Sequence, residues 1–301
     1  MTEKTILVTG ANGQVGYELV RTLQGLGRIV ALDRSALNLA NLDAIRRTLR
    51  DLKPAICVNA AAYTAVDQAE FDKDAAFRLN AEAPGVLAQE CALLNALLIH
   101  YSTDYVFDGA KEGPYVEDDA TNPQNVYGAS KLAGEHAVTN AGGAHLIFRT
   151  SWVYGARGKN FVRTMLRLGT ERDELRVVAD QIGAPTWSNT IATSTAHVLA
   201  SGMRDADTDY WLQRSGVYHL TAAGEASWYD LAFATFEITM GDAAPCVKPI
   251  EARDYPTPAR RPSNSRLSNE ALATQFGVRQ PHWRTALELC LSRDCSVDRS
   301  N

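Results

Sequence analysis

Apolar and polar positions fall along this chain in two kinds of block. Short runs rich in β-branched and other apolar residues read as buried strands. They are Thr5-Ile-Leu-Val-Thr9, Arg28-Ile-Val-Ala-Leu32, Ala55-Ile-Cys-Val-Asn59, Leu97-Leu-Ile-His-Tyr101, His145-Leu-Ile-Phe-Arg149 and Gly216-Val-Tyr-His-Leu-Thr221. Longer stretches with helical spacing lie between and after them, at 17–26, 42–52, 66–80, 83–94, 161–168, 190–203, 227–240 and 283–291. Leu37-Asn-Leu39 predicts a very short extra strand, and 177–186, with Gly183 and Pro185, predicts a loop. Alternation of strand and helix on this scale predicts an α/β fold with a parallel sheet covered on both faces.

Ligands in such sheets bind beyond the carboxyl ends of the strands, so chemistry is expected at those ends. The first strand runs into Gly10-Ala-Asn-Gly13-Gln-Val-Gly16, directly before a helix. Glycines at this spacing allow a tight turn and close approach of a pyrophosphate, and the helix start offers free N–H groups to its charge. The prediction sharpens to a Rossmann-type doubly wound sheet with a dinucleotide site at Gly10, Gly13 and Gly16. The second strand ends in Asp33-Arg34. An acid there accepts from ribose hydroxyls and favours NAD, whereas the arginine suits the 2′-phosphate of NADP, so NADH and NADPH both stay open. Ala62-Tyr63-Thr64 and Ser102-Thr103-Asp104 lie at two further strand ends.

Composition narrows the field. An apolar fraction of 46% and a charged fraction of 22% describe a soluble globular chain, and a net charge of −5 argues against nucleic acid or an anionic membrane as partner. No apolar run approaches the ~20 residues of a membrane helix, and Met1-Thr-Glu-Lys passes straight into the first strand without a signal-peptide pattern. The five cysteines (57, 91, 246, 290, 295) are scattered, which suits reduced thiols in a cytoplasm. No metal-ligand spacing is visible among cysteines or histidines, so no metal site is assigned.

Gln124-Asn-Val-Tyr127-Gly-Ala-Ser-Lys131 carries the sharpest chemistry. Residues four apart share a helix face. A cation beside a phenol favours phenolate, which makes the tyrosine a proton donor or acceptor nearer neutral pH. With Ser102-Thr-Asp104 upstream and Gly-x-x-Gly-x-x-Gly at the start, the chain resembles the extended short-chain dehydrogenase/reductase family. Longer stretches are similar to a nucleotide-sugar-reducing branch of it. These are Asn59-Ala-Ala-Ala-Tyr-Thr-Ala-Val-Asp67, His100-Tyr-Ser-Thr-Asp-Tyr-Val-Phe107, Phe148-Arg-Thr-Ser-Trp-Val-Tyr154, Asp180-Gln-Ile-Gly-Ala-Pro-Thr186 and Tyr255-Pro-Thr-Pro-Ala-Arg-Arg-Pro-Ser-Asn-Ser-Arg-Leu267.

The resemblance implies NADPH- or NADH-dependent reduction of the C4 ketone of a dTDP-linked 4-keto-6-deoxy sugar to dTDP-L-rhamnose, for cell-surface polysaccharide. It implies Tyr127 as general acid, Lys131 as the group that holds the nicotinamide ribose and lowers the tyrosine pKa, and Thr103 as a hydrogen-bond donor to the carbonyl. It further implies cofactor contacts at Gly13, Gln14, Val15, Asp33, Asn38, Leu39, Ala62, Tyr63, Thr64 and Tyr101, and sugar contacts at Thr103, Asp104, Tyr127 and Trp152. Some relatives hold magnesium at a subunit contact. Glu18 matches one such acid, but Asn189 stands where a second is expected. A homodimer is left open.

The resemblance and the strand pattern together predict a dinucleotide-binding domain at 1–151, to which 187–222 returns. A smaller C-terminal substrate lobe would comprise 152–186 and 223–291, with a frayed tail at 292–301. Arg253, Arg260, Arg261 and Arg266 cluster in an otherwise acidic chain, which suits a discrete anion such as a nucleotide diphosphate or else ordinary loop ion pairs. Two rival readings remain: an epimerase or dehydratase of the same fold, and a non-catalytic dinucleotide-binding regulatory subunit.

Overall fold

The computed structural model describes residues 3–203 and 209–294. Its centre is a six-stranded sheet made of β1 (Thr5–Thr9), β2 (Arg28–Leu32), β3 (Ile56–Asn59), β4 (Leu97–Thr103), β5 (His145–Thr150) and the Gly216–His219 strand. The spatial order is β2-β1-β3-β4-β5 followed by Gly216–His219, and every pairing is parallel. Strand residues alternate between two cores. Ile6, Val8, Val58, Ile99 and Phe148 face one side, where the Gln14–Thr22 and Ser188–Gly202 helices pack. Leu7, Cys57, Leu98 and Ile147 face the other, under the Leu42–Leu52, Ala83–Leu93 and Val126–Asn140 helices. Burial on both faces is why these strands read as unbroken apolar runs. The chain leaves β2 on one side of β1 and re-enters as β3 on the other, opening a crevice above β1 and β3.

Several elements differ from expectation. Leu37–Leu39 is not a strand. The Asp33 carboxylate accepts from Ser35 N at 2.9 Å, Ser35 Oγ at 2.6 Å and Ala36 N at 3.1 Å, which curls the chain away from the sheet edge. Leu37 and Leu39 are nevertheless buried, against the second core. The stretch 66–80 is not one helix but Val66–Ala69, Lys73–Phe77 and a π-turn at Arg78–Glu82 that leads into the Ala83–Leu93 helix. Pro84 has no N–H to return to the carbonyl four residues back, and a π-turn absorbs that mismatch. The segment 177–186 is partly extended. It lies in short pairings with Cys246–Ile250, Ala226–Ser227, Asn264–Ser265 and Val153–Tyr154, partners too remote in sequence to be anticipated.

Beyond the sheet, the Phe161–Glu171, Trp228–Met240 and Trp283–Asp294 helices enclose further apolar clusters around Leu231, Leu287 and Phe236. Ser227 and Asp230 form a reciprocal capping box at the start of the second of these helices. Of the expected tail at 292–301, residues 292–294 continue the Trp283–Asp294 helix, and those from 295 onward lie outside the described residues. Among the described residues no helix is long and apolar enough to cross a membrane.

Candidate active site

Two cavities adjoin the Tyr105–Tyr127 pair. The first, about 560 Å³, lies over β1 and β3. Its walls include Gly10, Gly13, Gln14, Val15, Asp33, Arg34, Asn38, Leu39, Ala62, Thr64, Tyr101, Tyr127 and Lys131, all anticipated from sequence. Gly10 has φ +66°, and a Cβ there would meet Ala61 N at 2.7 Å, so the turn requires glycine. Gly16 does not line the cavity. A Cβ on it would meet Gly10 O at 2.1 Å, so it permits the close packing of helix on turn instead. Tyr63 also lies outside the lining. Its hydroxyl reaches Asp72 Oδ2 at 3.3 Å, while its backbone N–H donates to Asn80 Oδ1 at 2.8 Å. Asn12 Nδ2 donates to Asp33 Oδ2 at 2.6 Å, tying the glycine turn to the end of β2. Those donors, Ser35 foremost, hold the Asp33 carboxyl below its ordinary pKa.

Tyr127 and Lys131 stand one turn apart on the Val126–Asn140 helix, whose start is capped by Asn125 accepting from Gly128 N at 2.7 Å. Asn125 Nδ2 also donates to Arg260 O at 2.8 Å, fastening the helix start to the C-terminal segment. Lys131 is buried. Its Nζ donates to Tyr101 O at 2.5 Å and lies 3.3 Å from His100 Nε2. Burial lowers its pKa to about 8 against the opposing pull of Glu135. The expected lowering of the Tyr127 pKa is not seen in the protein alone. Burial pushes the phenol up to about 12, a hydrogen bond with Thr103 pulls it down, and the Asp104 carboxylate raises it. Lys131 is engaged by the β4 backbone instead. A phenol held high remains protonated at neutral pH, the state that a proton donor needs before it acts.

Thr103 and Asp104 are buried beside Tyr127 and line neither cavity. Thr103 Oγ1 donates to Asp104 Oδ1 at 3.1 Å and accepts from Tyr105 N at 3.2 Å. Burial lifts the Asp104 carboxyl to about 7, with Ser265 and Thr103 opposing. The Tyr105 ring stands edge-on to Tyr127 with centroids 5.7 Å apart.

Tyr105 lines the second cavity, of about 1050 Å³, beneath the C-terminal elements. Arg172, Arg176, Arg260 and Arg261 contribute to its wall, with Phe161, Trp228 and Tyr255 as aromatic faces. Of the arginines anticipated, Arg260 and Arg261 reach it, while Arg253 and Arg266 do not. Arg261 pairs with Asp67 at 2.8 Å, Arg266 with Glu225 at 2.9 Å and Arg253 with Glu251 at 2.8 Å, whereas Arg260 meets the neutral Gln124. Trp152 also lies outside both linings. Its backbone takes φ +48°, and its ring stacks on Trp228 at 3.6 Å, so it meets the cavity through that ring. Sequence reasoning misses Arg172 and Arg176 because they fall between predicted elements, and Trp228 because it opens a helix whose apolar spacing reads as packing.

The family model described as the RmlD substrate binding domain matches residues 4–295. The chain belongs to the RmlD substrate-binding-domain family. It is 54% identical over 292 residues to the dTDP-4-dehydrorhamnose reductase of Burkholderia thailandensis, covering 95% of this chain and 97% of that one. It is 43% identical over 295 residues to the enzyme of the same name from Escherichia coli, with the same coverage of 95% and 97%. The dTDP-4-dehydrorhamnose reductase of Bacillus anthracis, solved in complex with NADP, superposes with a TM-score of 0.89 at 34% identity, covering 97% of this chain and 100% of that one. A UDP-glucose 4-epimerase from Thermus thermophilus, in complex with NAD, shares the fold at a TM-score of 0.79 and 19% identity. In this RmlD-family chain the two acid positions considered for magnesium face each other as acid and amide: Asn189 Nδ2 donates to Glu18 Oε2 at 2.8 Å. Among the described residues no group of three or more His, Cys, Asp or Glu side chains is placed to hold a metal.

Proposed function

We propose that this chain is an oxidoreductase that uses NADPH or NADH to reduce the C4 ketone of a dTDP-linked 4-keto-6-deoxy sugar, giving dTDP-L-rhamnose. The carrying observation is the place of Tyr127. It lines the glycine-turn cavity, and its ring meets edge-on the Tyr105 that lines the arginine-walled cavity. One proton donor therefore stands where a dinucleotide and a nucleotide sugar would meet.

The first cavity fits a dinucleotide because a tight turn that glycine alone permits brings the backbone to its wall, at the uncapped start of the Gln14–Thr22 helix. Gly10, Gly13, Gln14 and Val15 would hold the pyrophosphate. Asp33, Arg34, Asn38 and Leu39 would hold the adenosine end, and Ala62, Thr64, Tyr101 and Lys131 the nicotinamide end. The dinucleotide supplies the hydride when bound. Tyr127 directs its hydroxyl at the oxygen on which negative charge develops and gives it a proton. Thr103 steadies the phenol through its hydrogen bond, and Lys131 stabilises the phenolate left behind. Arg260 and Arg261 face the diphosphate, and the aromatic wall of Trp228 and Tyr255 takes base and sugar faces. Asp104 and Trp152 serve the substrate from behind, through Thr103 and Trp228. A dinucleotide-binding domain of 1–151 joined by 187–222, with a substrate lobe of 152–186 and 223–291, accords with the pairing of Gly216–His219 to β5. Cys57, Cys91 and Cys246 carry no disulfide, which suits a reducing cytoplasm.

An absorbance assay at the nicotinamide band tests this reading, with dTDP- and UDP-linked 4-keto sugars and each reduced cofactor. Stoichiometric oxidation with the dTDP substrate is expected. Turnover of a nucleotide sugar that leaves the cofactor in its starting redox state would replace the reductase with an epimerase. No turnover of any kind would leave a binding subunit.

A further inference from the structure

Behind the catalytic lysine runs a file of buried polar side chains that the mechanism above does not use. Sheet register pairs Thr9 of β1 with Asn59 of β3, and Asn59 with His100 of β4, so one polar residue from each of three adjacent strands falls in one row. Thr9 Oγ1 donates to Asn59 Oδ1 at 2.6 Å, Asn59 Nδ2 lies 3.0 Å from His100 Nδ1, and His100 Nε2 lies 3.3 Å from Lys131 Nζ. Thr9 and Asn59 are 1% exposed, His100 0% and Lys131 2%. Central strands seldom carry three adjacent polar residues in a dry interior, because each needs a partner there.

The proton inventory of this file has two solutions. With the Asn59 oxygen turned to Thr9 and to Ala61 N at 3.3 Å, the amide NH₂ donates to Nδ1. The single imidazole proton then sits on Nε2 and faces Nζ, which suits a neutral amine with a lone pair. An ammonium has three donors and no acceptor. Tyr101 O takes one of them, and toward His100 the ammonium needs a bare Nε2. The imidazole proton must then sit on Nδ1 and donate to the Asn59 oxygen. The amide turns over, and its NH₂ donates to Thr9 Oγ1, which can accept. The Ala61 bond is lost, and the Thr9 hydroxyl gives up Asn59 Oδ1 as its acceptor. His100 does not respond by ionising: burial, then the neighbouring Lys131 charge, hold its pKa well below the ordinary value.

We propose that Thr9, Asn59 and His100 form a reversible relay whose hydrogen-bond direction follows the charge of Lys131. The ammonium proton leaves on the cavity side. The tautomer exchange is proton-neutral, with one N–H lost at Nδ1 and one gained at Nε2. In turnover, the phenolate of Tyr127 takes its proton back from the Lys131 ammonium, giving phenol and amine, and the reversed relay stabilises that amine. Thr9, Asn59 and His100 are thus positioning residues for Lys131. This role in turnover rests on the reductase reading; the relay itself does not. The other charged or titratable groups around the lysine are Tyr127 and Glu135 on its own helix and Arg149 of β5, which is bound to Glu135 at 2.7 Å; Ser102 of β4 also donates to Glu135, at 2.5 Å. None of them can reverse a dipole in the manner of an amide and an imidazole.

The test is histidine side-chain ¹⁵N NMR on the whole, cofactor-free protein from about pH 6 to about pH 10, across the lysine titration. His100→Gln identifies the resonance. The expected result is an exchange of Nδ1–H for Nε2–H as pH rises, absent in Lys131→Met. One unchanged tautomer throughout in the wild type would overturn the proposal, whatever the variants do. Asn59→Asp provides an activity readout, because a carboxylate only accepts and locks Nδ1–H. The basic limb of kcat/KM should then move up by at least about one pH unit. An unmoved limb in a folded Asn59→Asp protein would also overturn it. An intact tautomer exchange in a protein that reduces no sugar would leave the relay standing and remove only the reductase reading.

Discussion

At the scale of single residues the site turns on one phenol. Tyr127 is held protonated by its surroundings, with a pKa of about 12, so before reaction it is a reserve of one proton. In the proposed mechanism its acidity is needed only when an alkoxide forms beside it, where the Lys131 charge and the Thr103 hydrogen bond would act on the phenolate. Tyr127→Phe removes the proton and leaves ring volume and helix packing unchanged. Turnover should fall at least ~100-fold, the usual scale of acid catalysis, while cofactor affinity from fluorescence titration stays near the wild-type value. Near-normal turnover in that variant would take Tyr127 out of the mechanism. The sequence marked this residue and its partner, but it misjudged the electrostatics. Spacing shows that two side chains share a helix face; it does not show that burial outweighs a neighbouring cation.

At the scale of elements, the glycine turn and the cap of the catalytic helix place the groups. Gly10 accepts no side chain without strain. Its left-handed φ of +66° and the Ala61 backbone 2.7 Å from any added Cβ are two independent obstacles to a side chain. Gly10→Ala should lower stability by about 1–3 kcal/mol, the cost of backbone strain, and should weaken dinucleotide binding more than sugar-nucleotide binding. Thermal unfolding and cofactor titration check this, and an unaltered melting point would show that the turn relaxes. The turn was legible because strand, glycines and helix are contiguous. The short strand at 37–39 was misread because its leucines are buried in the core without pairing, and the Asp33 side chain, through three donors, curls the backbone. The broken helix at 66–82 was misread because apolar spacing survives a π-turn.

At the scale of the whole molecule, catalysis and stability oppose each other at Lys131. Its folded pKa of about 8 lies below the ordinary 10.5, so the unfolded chain holds more protons between those values. Folding stability should therefore rise as pH goes from about 8 to 10.5 and be lost again as pH falls through about 8, by on the order of 3 kcal/mol. Lys131→Met should flatten that window and raise the neutral-pH melting temperature while abolishing useful turnover. Denaturant titrations at several pH values decide it, and a wild-type stability that does not rise there would contradict the burial. The Glu135–Arg149 pair, linking the same helix to β5 at 2.7 Å, shows the other solution to a buried charge, in which each ion is neutralised by its partner. Lys131 has no such carboxylate in contact, so its charge remains available to the site.

The amino-acid sequence alone determined the doubly wound sheet, the glycine turn, the acid and arginine after β2, and the Tyr127–Lys131 pair. All of these are written in contiguous residues, where strand burial, turn geometry and helix periodicity act over a few positions. Tertiary structure alone decided which groups meet. It set the Thr9–Asn59–His100 row, through register between strands separated by dozens of residues. It placed Trp152 behind Trp228 and assembled the arginine-walled cavity from four separate stretches of chain. Those contacts depend on packing between distant segments, and charge or apolar spacing along one segment carries no record of what lies against it.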